Sequence, residues 1–203
     1  MNTSAKSKLE PLCSGMVVGL FGGSFNPAHA GHVHLAETAR KRLGLDRVLW
    51  LVSPGNPLKD RADWGEYEQR VASALAITAR LPNQLVCESE MAFGTRYSLD
   101  TLLGFVARWP GVRFVWLIGA DNLRHFHLWR DWQQIAELVP IAVLARPGDP
   151  IKARLSRFAR QYATARLPED AARGLATRSA PAWVYLNAPY NELSSTALRG
   201  IDA

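Results

Sequence analysis

"GLFGGSFNPAHAGHVHLAE", Gly19 to Glu37, places Gly22, Gly23, Pro27 and Gly31 together with His29, His32 and His34 between an apolar run and a helical pattern. The preceding "MVVGLF", Met16 to Phe21, reads as a buried strand, and "HVHLAETARKRLG" reads as a helix ending at Gly44 as its C′ residue. Gly22 and Gly23 are expected to let the backbone turn sharply and approach an anion without a Cβ in the way. The helix beginning near Gly31 then offers its first N–H groups to a phosphate. The spacing is G-x-x-G-G, with no third glycine opening the helix, so it is not the G-x-G-x-x-G dinucleotide fingerprint. A hydride-transferring dehydrogenase is demoted on that ground.

Outward from this turn, short β-branched runs alternate with helical patterns. Strands are predicted at "RVLWLV" (47–52), "QLVCES" (84–89), "VRFVWLI" (112–118), "IAVLA" (141–145) and "AWVYL" (182–186). Helices are predicted at 66–81, at 98–109 with Ser98 as N-cap, around 129–139, and at 151–166. In the last of these Ile151, Leu155, Phe158 and Tyr162 make one apolar stripe. Alternation of this kind is the pattern of a doubly wound α/β fold with a mostly parallel sheet. Without a repeat or a long linker, it reads as one domain over 16–203 behind a loose leader, 1–15.

In such a sheet ligands gather outside the carboxyl ends of the strands, near the point where strand order reverses. Those ends carry "GGSFNPAHAGH", "SPGNPLKD", "MAFGTRYS", "GADNLRHFHLW", "RPGD" and "NELSSTALR". Glycine, basic and polar residues concentrate there.

Composition limits the alternatives. The chain has 203 residues, 48% of them hydrophobic and 21% charged, which suits a folded globular protein with a substantial core. No apolar run approaches the roughly 18 residues of a membrane helix, so no membrane association is expected. The opening "MNTSAKSKLEPLCSG" lacks a continuous apolar segment, which reads as a cytoplasmic protein rather than a secreted one. Cys13 and Cys87 are isolated, without the C-x-x-C pairing of a disulfide framework or zinc knuckle. A net charge of +6 suits polyanionic ligands, nucleotides or nucleic acid. The arginines of 151–166 read as a solvated helix face, because no aromatic platform alternates with them.

His29 and His32, three residues apart at a helix start, aim the same way. Three readings fit: a metal site, buried capping histidines, and a phosphate clamp of two imidazole donors over a glycine loop. The metal reading lacks a third ligand and an H-E-x-x-H pattern. The clamp accounts for all the features of the stretch together.

"GGSFNPAHAGH" resembles the nucleotidyltransferase signature G-x-F-D-P-x-H-x-G-H, and "LSSTALR" (193–199) resembles the second signature, I-S-S-T-x-x-R. With "GADNLRHFHLW" and "RPGD", the likeness to nicotinate-nucleotide adenylyltransferases runs from Met16 to Arg199. It implies a Rossmann-like nucleotidyltransferase fold and the reaction of nicotinate mononucleotide with ATP to give deamido-NAD and pyrophosphate, a step of NAD biosynthesis. Little covalent work falls to such a protein, which acts by positioning and by stabilising phosphoryl charge.

The resemblance assigns ATP to Gly22, Gly23, Ser24 and Phe25 and to His29 and His32, with His32 at the reacting α-phosphate. Ser194, Ser195 and Thr196 would open a short helix that holds the β- and γ-phosphates, with help from Arg199. Trp129 matches the tryptophan that stacks on the pyridine ring, which Thr95 and Tyr97 frame; Trp132 is the alternative, core-facing tryptophan. Asp121 matches the carboxylate near the ribose, and Asn56, Lys59 and Arg146 are placed to meet phosphates. Mg²⁺ is expected to arrive bound to ATP, without a protein cage.

Asn26 stands where the signature has Asp; either side chain closes an Asx-type turn. The chain stops at Ala203, soon after the second signature, where many relatives continue into further helix. A homo-oligomer is compatible with the sequence. Phosphopantetheine or nicotinamide-mononucleotide adenylyl transfer, and a non-catalytic nucleotide- or RNA-binding module, are the alternatives, with no nucleic-acid partner in the favoured reading.

Overall fold

A computed structural model of the chain describes residues 12–54, 66–88, 93–95, 97–145 and 153–187. Within them lie the strands β1 (Val17–Gly23), β2 (Arg47–Val52), β3 (Gln84–Cys87), β4 (Arg113–Gly119), β5 (Ile141–Ala145), β6 (Arg166–Leu167) and β7 (Trp183–Asn187). Among the described residues these seven form one sheet in the order β3-β2-β1-β4-β5-β7-β6. Every adjacent pair is parallel, so the expected "mostly parallel" sheet is parallel throughout what is described. β4 and β5 read as continuous apolar runs, "FVWLI" and "IAVLA", because parallel strands in mid-sheet are buried on both faces.

Helices cover both faces. α1 (Ala30–Leu43) and α2 (Tyr67–Thr78) pack Leu35, Ala36, Ala39, Val71 and Ala74 on the face that shows Phe21, Trp50, Leu117 and Leu144. α3 (Ser98–Arg108), the short α4 (Ala120–Leu123), α5 (Trp132–Leu138) and α6 (Arg157–Gln161) cover the other face. There Leu102, Phe105, Trp132, Ile135 and Phe158 meet Leu20, Trp116, Ile118 and Val143. α1 ends as its sequence promised: Gly44 takes φ 67, and its N–H returns to the Arg40 carbonyl below a last turn of Arg40, Lys41 and Arg42.

Several local expectations change. Ser98 is the first helical residue of α3 rather than its cap, since Tyr97 is the extended residue before it and its carbonyl accepts the Thr101 N–H at 3.1 Å. α5 begins at Trp132, not near Trp129, because Asp131 adopts φ 53 and interrupts the helical path. The basic segment is not one long helix. Ser156 caps α6 by accepting the Ala159 N–H at 3.2 Å, and Tyr162 ends it, so Leu155 is exposed while Phe158 and Tyr162 are buried; Ile151 lies outside the described residues. Its arginines do find aromatic partners: Arg154 lies 4.7 Å over Tyr185 and Arg166 lies 5.2 Å over Trp183. β6 and the 3-10 segment Glu169–Thr177 had no readable period in the sequence. Finally, Leu12, placed from sequence in the loose leader, is buried in the core, and the Gly15 N–H donates to the Gly111 carbonyl.

Candidate active site

β1 and β4 are neighbours, yet the chain leaves β1 for β2 on one side and leaves β4 for β5 on the other. Doubly wound sheets bind ligands in the crevice outside the carboxyl ends of the strands at such a switch point. The residues after β1 and after β4 therefore face one site.

Gly22 and Gly23 belong to β1 and are needed for a different reason than a sharp turn. A Cβ on Gly22 would come within 2.5 Å of the Trp116 ring, and one on Gly23 within 3.0 Å of the Phe25 ring. The reversal comes later, at Phe25 with φ 46 and at the cis bond between Asn26 and Pro27. A left-handed conformation in a bulky residue persists only where packing over-determines it. Phe25 is 2% exposed, its ring centroid 4.9 Å from Trp50, 5.4 Å from Phe21 and 5.1 Å from His32. Its side chain thus belongs to an aromatic box beneath the loop.

The histidines sit on that box at the start of α1. His29 is the N-cap, and its Nδ1 accepts the Gly31 N–H at 3.1 Å. His32 completes a capping box, its Nδ1 accepting the His29 N–H at 3.3 Å. The two rings lie 3.9 Å apart. A neutral imidazole that accepts at Nδ1 must carry its proton on Nε2. The capping geometry therefore selects the tautomer in which both rings are Nε2–H donors. Capping and anion binding, alternatives in the sequence, are compatible uses of the two nitrogens of one ring.

After β4, Asp121 is exposed in the first turn of α4, packed back against Gly119. Trp129 lies beyond the 3-10 turn Phe126–Leu128 in extended backbone and is half-buried, edge-on to Phe126 at 5.3 Å and to Trp116 at 6.5 Å. Trp132 is the core-facing partner, 6% exposed among Phe126, Phe158 and Tyr162. Tyr97, half-buried ahead of α3, carries the Arg130 guanidinium 4.5 Å over its ring, and Thr95 Oγ1 lies 2.7 Å from Thr101 Oγ1. Arg130, the residue after Trp129, thus links Tyr97 to the segment that carries Trp129. Asn56, Lys59, Arg146, Ser194, Ser195, Thr196 and Arg199 lie outside the described residues.

Sequence reasoning missed the residues beneath the loops. Arg70, on α2, donates to the carbonyls of Ser24 and Ser53, both at 2.7 Å. Its neighbour Ser73 accepts the Ala28 N–H at 3.2 Å. Below His32, the Trp50 indole N–H donates to Gln84 at 3.0 Å, and Gln84 donates to Glu37 of α1 at 3.3 Å. The signal for Arg70 was its place on the buried stripe with Val71, Ala74 and Thr78, where a charge has to find partners. Glu37 is held below the ordinary carboxylate range first by the hydrogen bonds of Arg40, at 2.9 and 2.8 Å, with burial opposing and the Arg40 and Lys41 charges adding to the lowering.

The family model described as cytidylyltransferase-like matches residues 20–201. A protein of Caulobacter sp. (strain K31) named "Probable nicotinate-nucleotide adenylyltransferase" is 54% identical over 185 residues, 91% of this chain and 97% of that one. A protein of the same name from Methylorubrum extorquens is 52% identical over 184 residues, 91% of this chain and 99% of that one. Among solved structures, Plasmodium falciparum nicotinic acid mononucleotide adenylyltransferase complexed with NaAD aligns with a TM-score of 0.69 at 13% identity, over 91% of this chain and 83% of that one. The last likeness concerns the fold. A matched family model over nearly the whole chain, and relatives above half identity over nine-tenths of it, decide the assignment: the chain belongs to the cytidylyltransferase-like family and, within it, to the nicotinate-nucleotide adenylyltransferases.

Proposed function

We propose that this chain transfers the adenylyl group of ATP to nicotinate mononucleotide, with the crevice between β1 and β4 as the site. A 5′-phosphate oxygen of the mononucleotide attacks the α-phosphorus of ATP in line. One P–O–P bond forms as the α–β bond breaks, and the electron pair leaves with pyrophosphate. The observation that carries this reading is the pair of imidazoles capping α1: Nδ1 is committed to backbone N–H groups, which makes Nε2–H the donor each ring offers to phosphoryl oxygens. Donors fixed before the reaction stabilise developing charge at no cost of reorganisation.

In this reading the backbone of Gly22, Gly23, Ser24 and Phe25 lines the ATP phosphates with His29 and His32, and Ser194, Ser195, Thr196 and Arg199 take the outer phosphates. Trp129 stacks on the pyridine ring, Thr95 and Tyr97 frame it, Asp121 meets the ribose, and Asn56, Lys59 and Arg146 meet the mononucleotide's phosphate. Among the described residues no group of three or more His, Cys, Asp or Glu is arranged to hold a metal ion, and a Mg²⁺ carried on ATP phosphates and water needs none. When bound, the ion neutralises phosphate charge. ATP as substrate suits the cytoplasm, and no helix among the described residues is long and apolar enough to cross a membrane.

The test is pyrophosphate release from ATP and Mg²⁺ with each mononucleotide in turn. Release with nicotinate mononucleotide, and much less with nicotinamide mononucleotide or phosphopantetheine, is expected. Release confined to either alternative acceptor, or to none, overturns the reading.

A further inference from the structure

Arg70 is a charged side chain 4% exposed, on the helix that runs beneath two of the loops at the crevice. One terminal nitrogen of its guanidinium donates at 2.7 Å to the Ser24 carbonyl, in the loop after β1, and at 2.7 Å to the Ser53 carbonyl, in the loop after β2. The other reaches the Pro54 carbonyl at 3.3 Å, and the group lies 5.5 Å over the Tyr67 ring. The helix grips the first loop a second time: Ser73 donates to the Arg70 carbonyl at 2.8 Å and accepts the Ala28 N–H at 3.2 Å. The two loops are also joined directly, the Ser53 N–H donating to the Gly23 carbonyl at 3.0 Å.

A desolvated cation is costly, and an apolar side chain of similar volume would fill the space without that cost. What an apolar residue cannot do is hold two carbonyls from different loops on one nitrogen. A planar guanidinium does this with fixed donor directions, which an ammonium lacks. Ser24 stands in the loop read as the ATP site, and Ser53 and Pro54 lead directly into the segment that carries Asn56 and Lys59. On the loop assignment proposed above, the distance between these loops sets the distance between the α-phosphorus and its attacker.

We propose that Arg70 is a positioning residue that fixes the spacing between the ATP loop and the mononucleotide loop, and so controls the in-line geometry rather than the affinity of either substrate. This rests on the assignment of the two loops under Proposed function. In-line displacement tolerates little error, since a misplacement of about 1 Å costs roughly 10²-fold in rate.

The experiment measures kcat, both KM values and the thermal midpoint for Arg70→Lys, Arg70→Met and the parent, with ATP, Mg²⁺ and nicotinate mononucleotide. Expected is a fall in kcat of about 10²-fold for Arg70→Met and at least about 10-fold for Arg70→Lys, with each KM within about threefold of the parent. Should Arg70→Met not fold, Arg70→Lys, which keeps the charge, carries the test. A lowered midpoint with kcat unchanged per folded molecule, or a loss confined to KM, overturns the proposal, because a purely structural or binding role predicts those results. An active parent with unaffected variants sinks this inference alone; a parent that releases no pyrophosphate sinks the site assignment and this inference with it.

Discussion

His29 and His32 lie 3.9 Å apart, ring to ring, and each accepts a backbone N–H on Nδ1, His29 from Gly31 and His32 from His29. One pair of side chains thus closes the N-terminus of α1 and, in the tautomer that accepts at Nδ1, carries its protons on Nε2. The capping role and the proposed donor role reside on different nitrogens, so mutation can separate them.

His29→Asn keeps a capping acceptor and removes the Nε2–H donor; His29→Ala removes both. Loss of an N-cap costs about 0.5–2 kcal/mol. The asparagine variant is therefore expected to hold the parent's urea midpoint while losing about 10²-fold in kcat, the effect of a missing transition-state donor. The alanine variant is expected to lose both. An asparagine variant as active as the parent would falsify the donor role and leave His29 a cap alone.

Trp129 and Trp132 are both edge-on to Phe126, but only Trp132 is enclosed. Stacking is worth about 0.5–1.5 kcal/mol beyond area burial, so Trp129→Ala is expected to weaken the pyridine mononucleotide by roughly 2- to 12-fold. ATP affinity stays near the parent's. Trp132→Ala, which opens a cavity in the core, is expected to cost about 3–5 kcal/mol of stability. Titration calorimetry of Trp129→Ala with each nucleotide decides the point: equal losses for both would place Trp129 in the core as well.

Glu37 contributes a pH-dependent increment. Its carboxylate is hydrogen-bonded by Arg40, and the same bond raises the Arg40 guanidinium, so both partners shift toward their charged forms. A folded value lowered from 4.5 means the increment is fully present above that ordinary value and disappears as pH falls through the lower folded one. The pair is partly solvated and three residues apart on a helix, so about 0.5 kcal/mol is its expected size. Urea midpoints of Glu37→Gln and the parent are expected to differ at pH 7 and to converge in acid. A difference that grows as pH falls would reverse the sign assigned here.

The alternation of apolar runs and helical periods by itself determined the parallel α/β sheet, and the two signature segments determined the family, because both signals are local and survive without tertiary context. "RVLWLV" and "IAVLA" are strands at the limits their sequence suggests, since a strand buried on both faces is apolar along its buried length, which in β2 is all but the partly exposed Arg47. Helix limits were less legible: Asp131 at φ 53 and Ser156 as a cap act through backbone geometry that composition does not report. The site divides in the same way. Of the proposed site, His29 and His32 were picked out by their own spacing after β1, and Trp129 and Tyr97 through the family resemblance. Tertiary structure decided that Gly22 exists to seat Trp116, that Phe25 turns the loop with its ring in a box of Phe21, Trp50 and His32, and that Arg70 spans from α2 to two loops. Each of these joins residues distant in sequence. A strand or helix is specified by the period of its own side chains, whereas the conformation of a loop is specified by what it packs against.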